Sequence, residues 1–284
     1  MKTTRLLLAL TLATLAFSSY SADSVSSASK HRHKKPKPVA TENYDAVSSA
    51  SIVPASLRQS VKASGFTDSS AKKVLMVVGD PRHESVEWDL VNTAIAHFQA
   101  RGLEVELRDL YAIHFNPVVT RETFFHAKDG LGKTPPGIGE EQAFVSKADY
   151  IVFCYPNWHD SPNAITKGYI ERVFSKQFAY RDTEKGLEGL LKGKSLYTIM
   201  NAGWVGQGRG DVGDGIGKTD AIWDKYLNAY KVVDDDTAGF WGMKNLGRFV
   251  NDQTPKNTDP EYAQKIEVLR GALKAKLDTV FGLK

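Results

Sequence analysis

Residues 73–284 are predicted to form an α/β domain, a doubly wound parallel sheet flanked by helices on both faces. Three observations carry this. Short apolar runs alternate with helical stretches along the whole segment. Several of those runs stop at Gly79, Pro156 or Gly203, as buried strands do when they open into a loop. The polar, low-complexity sequence lies ahead of this region and not within it.

The elements read in order. KVLMVVG, ending at Gly79, is a strand buried on both faces. Val86 to Arg101 is helical, with Val86, Leu90, Ala94, Ile95 and Phe98 on one face and Gly102 as a stop signal. LEVELRDL alternates like a second strand, and DYIVFCYP is a third, stopped by Pro156. Pro162 to Phe174 is a helix, KSLYTIMNAG a fourth strand and Thr219 to Tyr230 a helix. MKNLGRFV is a fifth strand, and Pro260 to Phe281 is the closing helix. Alternation of this kind gives a parallel sheet. With five strands, the flavodoxin-like order 2-1-3-4-5 is the natural arrangement. The long Gly- and Pro-bearing stretch from Tyr111 to Gly139 is expected to lid the site or contact a second subunit.

The start of the chain reads as a Sec-type signal peptide, residues 1–22. Lys2 and Arg5 precede an apolar run of twelve, Leu6 to Phe17, with small residues to Ser21 and Ala22. That run falls short of the roughly 20 residues that span a bilayer. An exported, periplasmic or secreted location is expected. Residues 23–72, with SKHRHKKPKP, read as a flexible basic linker that could weakly tether the protein to an anionic surface or serve as a spacer. They carry 8 basic and 4 acidic groups, whereas residues 73–284 carry 27 and 29. The basic character therefore lies outside the domain, and nothing marks it as a nucleic-acid binder. The single cysteine, Cys154, excludes an intrachain disulfide and sits in a strand, where a core role is expected.

Ligands of open parallel sheets bind beyond the carboxyl ends of the strands, at the switch point of strand order. Three loops lie there: Gly79 to Val86, Pro156 to Ser161, and Asn201 to Gly217. The first runs into a helix N-terminus, which favours an anion, with Ser85 as N-cap; Asp80, Glu84 and Glu87 oppose one. In the second, Trp158 offers a broad apolar plate beside backbone amides. The third holds seven glycines in the fifteen residues from Gly203 to Gly217. No catalytic residue can be named, and no metal site is expected; the aspartates Asp211, Asp214 and Asp234 to Asp236 match no EF-hand spacing.

At these residues the chain resembles the NAD(P)H:quinone oxidoreductases with a flavodoxin-like fold, the DT-diaphorase and modulator of drug activity B group. YPNWHDSPNAITKGYIERVF carries most of the likeness, supported by GLLKGKSLYTIMNAG, DLYAIHFNPV and FWGMKNL. The resemblance implies non-covalent FMN or FAD, NAD(P)H as donor, a quinone or other small oxidant as acceptor, and a homodimer. By position it places Ser85 at the flavin phosphate. Pro156, Asn157, Trp158 and His159 would line the isoalloxazine, and Asn201, Ala202, Gly203 and Trp204 would bond its far edge. Asp80 and Glu87 stand where the family carries a His and an Asn, and Gly217 stands about where it carries a His. A flavin- or quinone-binding protein, or an interaction module, with a degenerate catalytic site is the alternative.

Overall fold

The structure, a computed structural model, describes residues 52–159, 161–202, 234–251 and 254–283. The signal peptide, residues 23–51, the helix expected at Thr219 to Tyr230 and the glycine-rich loop lie outside the described residues.

Five strands form one sheet: β1 (Lys73–Val78), β2 (Glu104–Asp109), β3 (Tyr150–Pro156), β6 (Ser195–Asn201) and β7 (Lys244–Asn251). Their order is β2-β1-β3-β6-β7 and every pairing is parallel. This is the 2-1-3-4-5 arrangement. A two-stranded antiparallel hairpin, β4 (Tyr180–Thr183) and β5 (Gly186–Gly189), stands apart from it. It is short and polar, and the sequence pattern does not announce it.

The strands are apolar on both faces because each face carries a helical layer. Val74, Met76, Val78, Val152, Cys154, Tyr197 and Ile199 point to one side, into a cluster with α1 (Val86–Ala100) and the closing helix α6 (Tyr262–Phe281). Leu75, Val77, Ile151, Phe153, Tyr155, Leu196 and Met200 point to the other. There they meet α3 (Ile138–Lys147) and α4 (Ala164–Val173), with Trp241 from the helical residues 234–241, here α5, stacked on Phe174 at 3.8 Å. A one-turn helix, α2 (Arg121–Phe124), and a π turn (Phe125–Asp129) break the stretch between β2 and α3. Cys154 is fully buried, and burial pushes its thiol well above the usual range, as a core residue requires.

Residues 52–72 depart from the expected flexible linker. They run as a strap over the domain. The Val53 amide donates to the Glu84 carbonyl at 2.8 Å, Ile52 bridges Ser85, and both Ile52 and Val53 are buried. Farther on, Gln59 donates to Thr93 of α1 at 2.8 Å, and the Gly65 amide donates to Val105 of β2 at 2.9 Å. Ser69 donates to Glu104 at 2.6 Å, and with Thr67 it holds that carboxyl at about 2. The segment lacks a helical or strand period because it is extended and anchored residue by residue, so a periodicity search passes over it.

Among the described residues, no helix is long and apolar enough to cross a membrane, and no group of three or more His, Cys, Asp or Glu is placed to hold a metal ion.

Candidate functional site at the strand ends

The order of strands reverses between β1 and β3, so the crevice expected of this topology opens at their carboxyl ends. Its first wall is the β1–α1 loop. Gly79 hydrogen-bonds through its amide to the Cys154 carbonyl at 2.9 Å and accepts from Asn163, the N-cap of α4. A Cβ at Gly79 would fall 2.0 Å from the Thr166 hydroxyl oxygen, so only glycine lets the β1 end and α4 approach this closely.

Asp80 follows and is fully buried. Its carboxylate accepts the Ser85 hydroxyl at 2.8 Å, the Arg82 amide at 3.0 Å and two guanidinium nitrogens of Arg82, each at 3.2 Å. Its carbonyl accepts the Trp88 indole at 2.7 Å. Ser85 is the N-cap of α1, as its place before Val86 predicts, and accepts the Trp88 amide at 3.2 Å. Its hydroxyl proton is nevertheless committed to Asp80 and its surroundings are sealed by the strap. The expectation of a flavin phosphate at Ser85 thus meets a hydroxyl already engaged by Asp80, a side chain of the chain itself.

Glu87, in the first turn of α1, is fully buried, and neither carboxyl oxygen has a hydrogen-bond partner. Burial, then the charge of Asp80, push it well above the usual carboxylate range; the Asn201 backbone and Arg82 oppose this only in part. Tyr111 is also raised, by burial and then by Asp80. On the rim, His83 contacts Asp109 at 2.6 Å through Nε2 and packs on Trp88 at 4.4 Å between centroids.

The second wall is the β3–α4 loop. Pro156 is buried in register with Asn201, and the Asn157 amide donates to the Asn201 carbonyl at 2.9 Å. Trp158 is 41% exposed, one of eight large apolar side chains left open to solvent among the described residues, and His159 beside it is exposed with φ of 52°. The sheet thus brings Pro156, Asn157 and Trp158 together with the end of β6. The Asn201 and Ala202 polar groups are differently engaged from the expected edge contacts. Asn201 Oδ1 accepts from Asn251 and Thr254, each at 3.0 Å, and the Ala202 amide donates to the Asn251 carbonyl at 2.8 Å. These groups brace β6 against β7. Gly203 and Trp204 lie outside the described residues.

A flavin can be tested against this donor set. The ring end fits: an exposed indole plate stands at the switch point beside a backbone register that opens the loop there. The phosphate end does not fit, because the Asp80 carboxylate, itself an anion, takes up the hydroxyl of the Ser85 N-cap.

The family model described as "Flavodoxin-like fold" matches residues 72–273, and the chain belongs to that family. Among proteins similar to it is an uncharacterized NAD(P)H oxidoreductase of Haemophilus influenzae, 38% identical over 105 residues, 37% of this chain and 51% of that one. NAD(P)H dehydrogenase [quinone] 1 of Cavia porcellus is 31% identical over 148 residues, 46% of this chain and 54% of its own. The chain therefore spans about half the length of these relatives. A Klebsiella pneumoniae structure described as a candidate quinone reductase superimposes with a TM-score of 0.60 at 25% identity, covering 75% of this chain and 86% of that one.

Proposed function

We propose that this protein is an exported flavin-dependent oxidoreductase that takes electrons from NAD(P)H or an equivalent donor and passes them to a quinone or another small oxidant. The observation that carries the reading is the switch-point crevice, walled by Pro156, Asn157 and the half-open Trp158. The similarity to the Cavia NAD(P)H dehydrogenase [quinone] 1 supports the same class. The redox chemistry would belong to the isoalloxazine, with the loops orienting it. Exposed Phe124, Phe125 and Leu131, all between β2 and α3, suit a homodimer contact. The basic segment ahead of the strap suits a weak surface tether.

The visible spectrum of purified protein tests the flavin, and NAD(P)H oxidation with menadione tests turnover. A bound flavin without turnover would favour the binding-protein alternative; no flavin at any concentration would favour an interaction module. Export is tested by N-terminal sequencing from the native host, with a start near residue 22 or 23 expected and an intact Met1 on a cytoplasmic protein refuting it.

A further inference from the structure

We propose that the crevice selects a phosphate-free flavin, of the riboflavin class, because the Asp80 carboxylate already occupies the place a flavin phosphate would take. The proposal rests on the flavin reading and narrows it. Free amides and the dipole at a long helix N-terminus make an anion site. Here α1 runs fifteen residues from a Ser N-cap, and an anion is present: Asp80, held by Ser85 and by three nitrogens of Arg82.

Two further observations close the site to phosphate. The strap crosses the same helix end, with Ile52 bridged to Ser85 and Val53 bonded to Glu84, and leaves Ser85 buried. Glu87, fully buried with both oxygens unpartnered, lies where Asp80 and the Asn201 backbone both act on it. An incoming phosphate would meet the buried Asp80 carboxylate, with the buried Glu87 carboxyl group beside it. The Asp80 carboxylate and a phosphate carry charge of the same sign, and in a poorly solvated site like charges repel strongly. A ligand ending in neutral hydroxyls escapes that repulsion and keeps the contacts of its ring with the Trp158 wall.

Titration of flavin-free protein with riboflavin, lumiflavin and FMN, followed by quenching of flavin fluorescence, tests this. Riboflavin and lumiflavin should bind about tenfold or more tightly than FMN. Asp80→Asn should tighten FMN about tenfold and leave lumiflavin within about twofold. If that variant fails to fold, as a thermal melt would reveal, the wild-type ratio still decides the matter. FMN binding as tightly as riboflavin, or more so, in the wild type overturns the proposal while leaving the flavin reading intact. Failure of all three to bind overturns both.

Discussion

Arg270 of α6 reaches across to Asp89 of α1, with Nε donating to Oδ2 at 2.9 Å, and the same guanidinium donates through Nη2 to the Leu57 carbonyl at 2.7 Å. One side chain thus ties the last helix, the first helix and the strap. Both partners are buried, and hydrogen bonding to Asp89 is the main cause that raises Arg270. Removing one member of a buried pair leaves the other uncompensated, at a cost of about 3–5 kcal/mol. Arg270→Met should lower stability by that amount in urea melts. Asp89→Leu combined with Arg270→Met should recover most of it. A loss under about 1 kcal/mol in the single variant would mean that the pair is solvated.

The strap supplies core and not merely reach. Burying a Val or Ile side chain stabilises by about 1.5–3 kcal/mol, and Ile52 and Val53 are both lost when the chain begins at Lys73. That shortened chain should melt on the order of 10 °C below one beginning at Asp23. Equal melting temperatures would refute an anchored strap.

Gly79→Ala places a methyl group against Thr166 and Asn163. Overpacking of this kind costs roughly 1–3 kcal/mol. Adding Thr166→Ala should restore part of the loss by removing the hydroxyl the methyl meets. A single variant as stable as wild type would show that α4 shifts freely.

Glu87 makes stability depend on pH in a definite direction. Its carboxyl is raised in the folded state, so between the ordinary carboxylate range and its folded value the folded chain holds a proton that the unfolded chain does not. Its contribution is complete below the unfolded value and is lost as pH rises through the folded one. Glu87→Gln should flatten that slope in denaturant melts taken from acid to mildly alkaline pH. An unchanged slope would assign it to other groups.

Trp158→Ala should weaken flavin binding by on the order of 1–3 kcal/mol, about fivefold or more in affinity, through lost stacking and apolar contact. Because the indole is half-open and outside the core clusters, the melting temperature should move little. Unchanged affinity in flavin titrations would place the ring elsewhere.

Much of the fold is legible in the sequence because its signals are local. A strand covered on both faces must be apolar throughout, and KVLMVVG and DYIVFCYP read that way before any packing is known. Ser85 before an apolar helix announces its N-cap, and alternation of strand and helix leaves few topologies to choose from. The sequence likewise pointed to Trp158 at the end of the third strand and to the unusual acids Asp80 and Glu87.

What those acids do was decided only by tertiary structure. Whether Ser85 serves a ligand or Asp80 depends on a side chain five positions back folding over the helix end, and on Ile52 and Val53 arriving to seal it. Asn201 points into β7 because Asn251 and Thr254, fifty and more residues later, offer it better partners than an open edge would. Such bonds have no period and no fixed spacing. They exist only once the sheet has brought distant groups within hydrogen-bond reach, where an unmade bond is costly enough to determine which way each side chain turns.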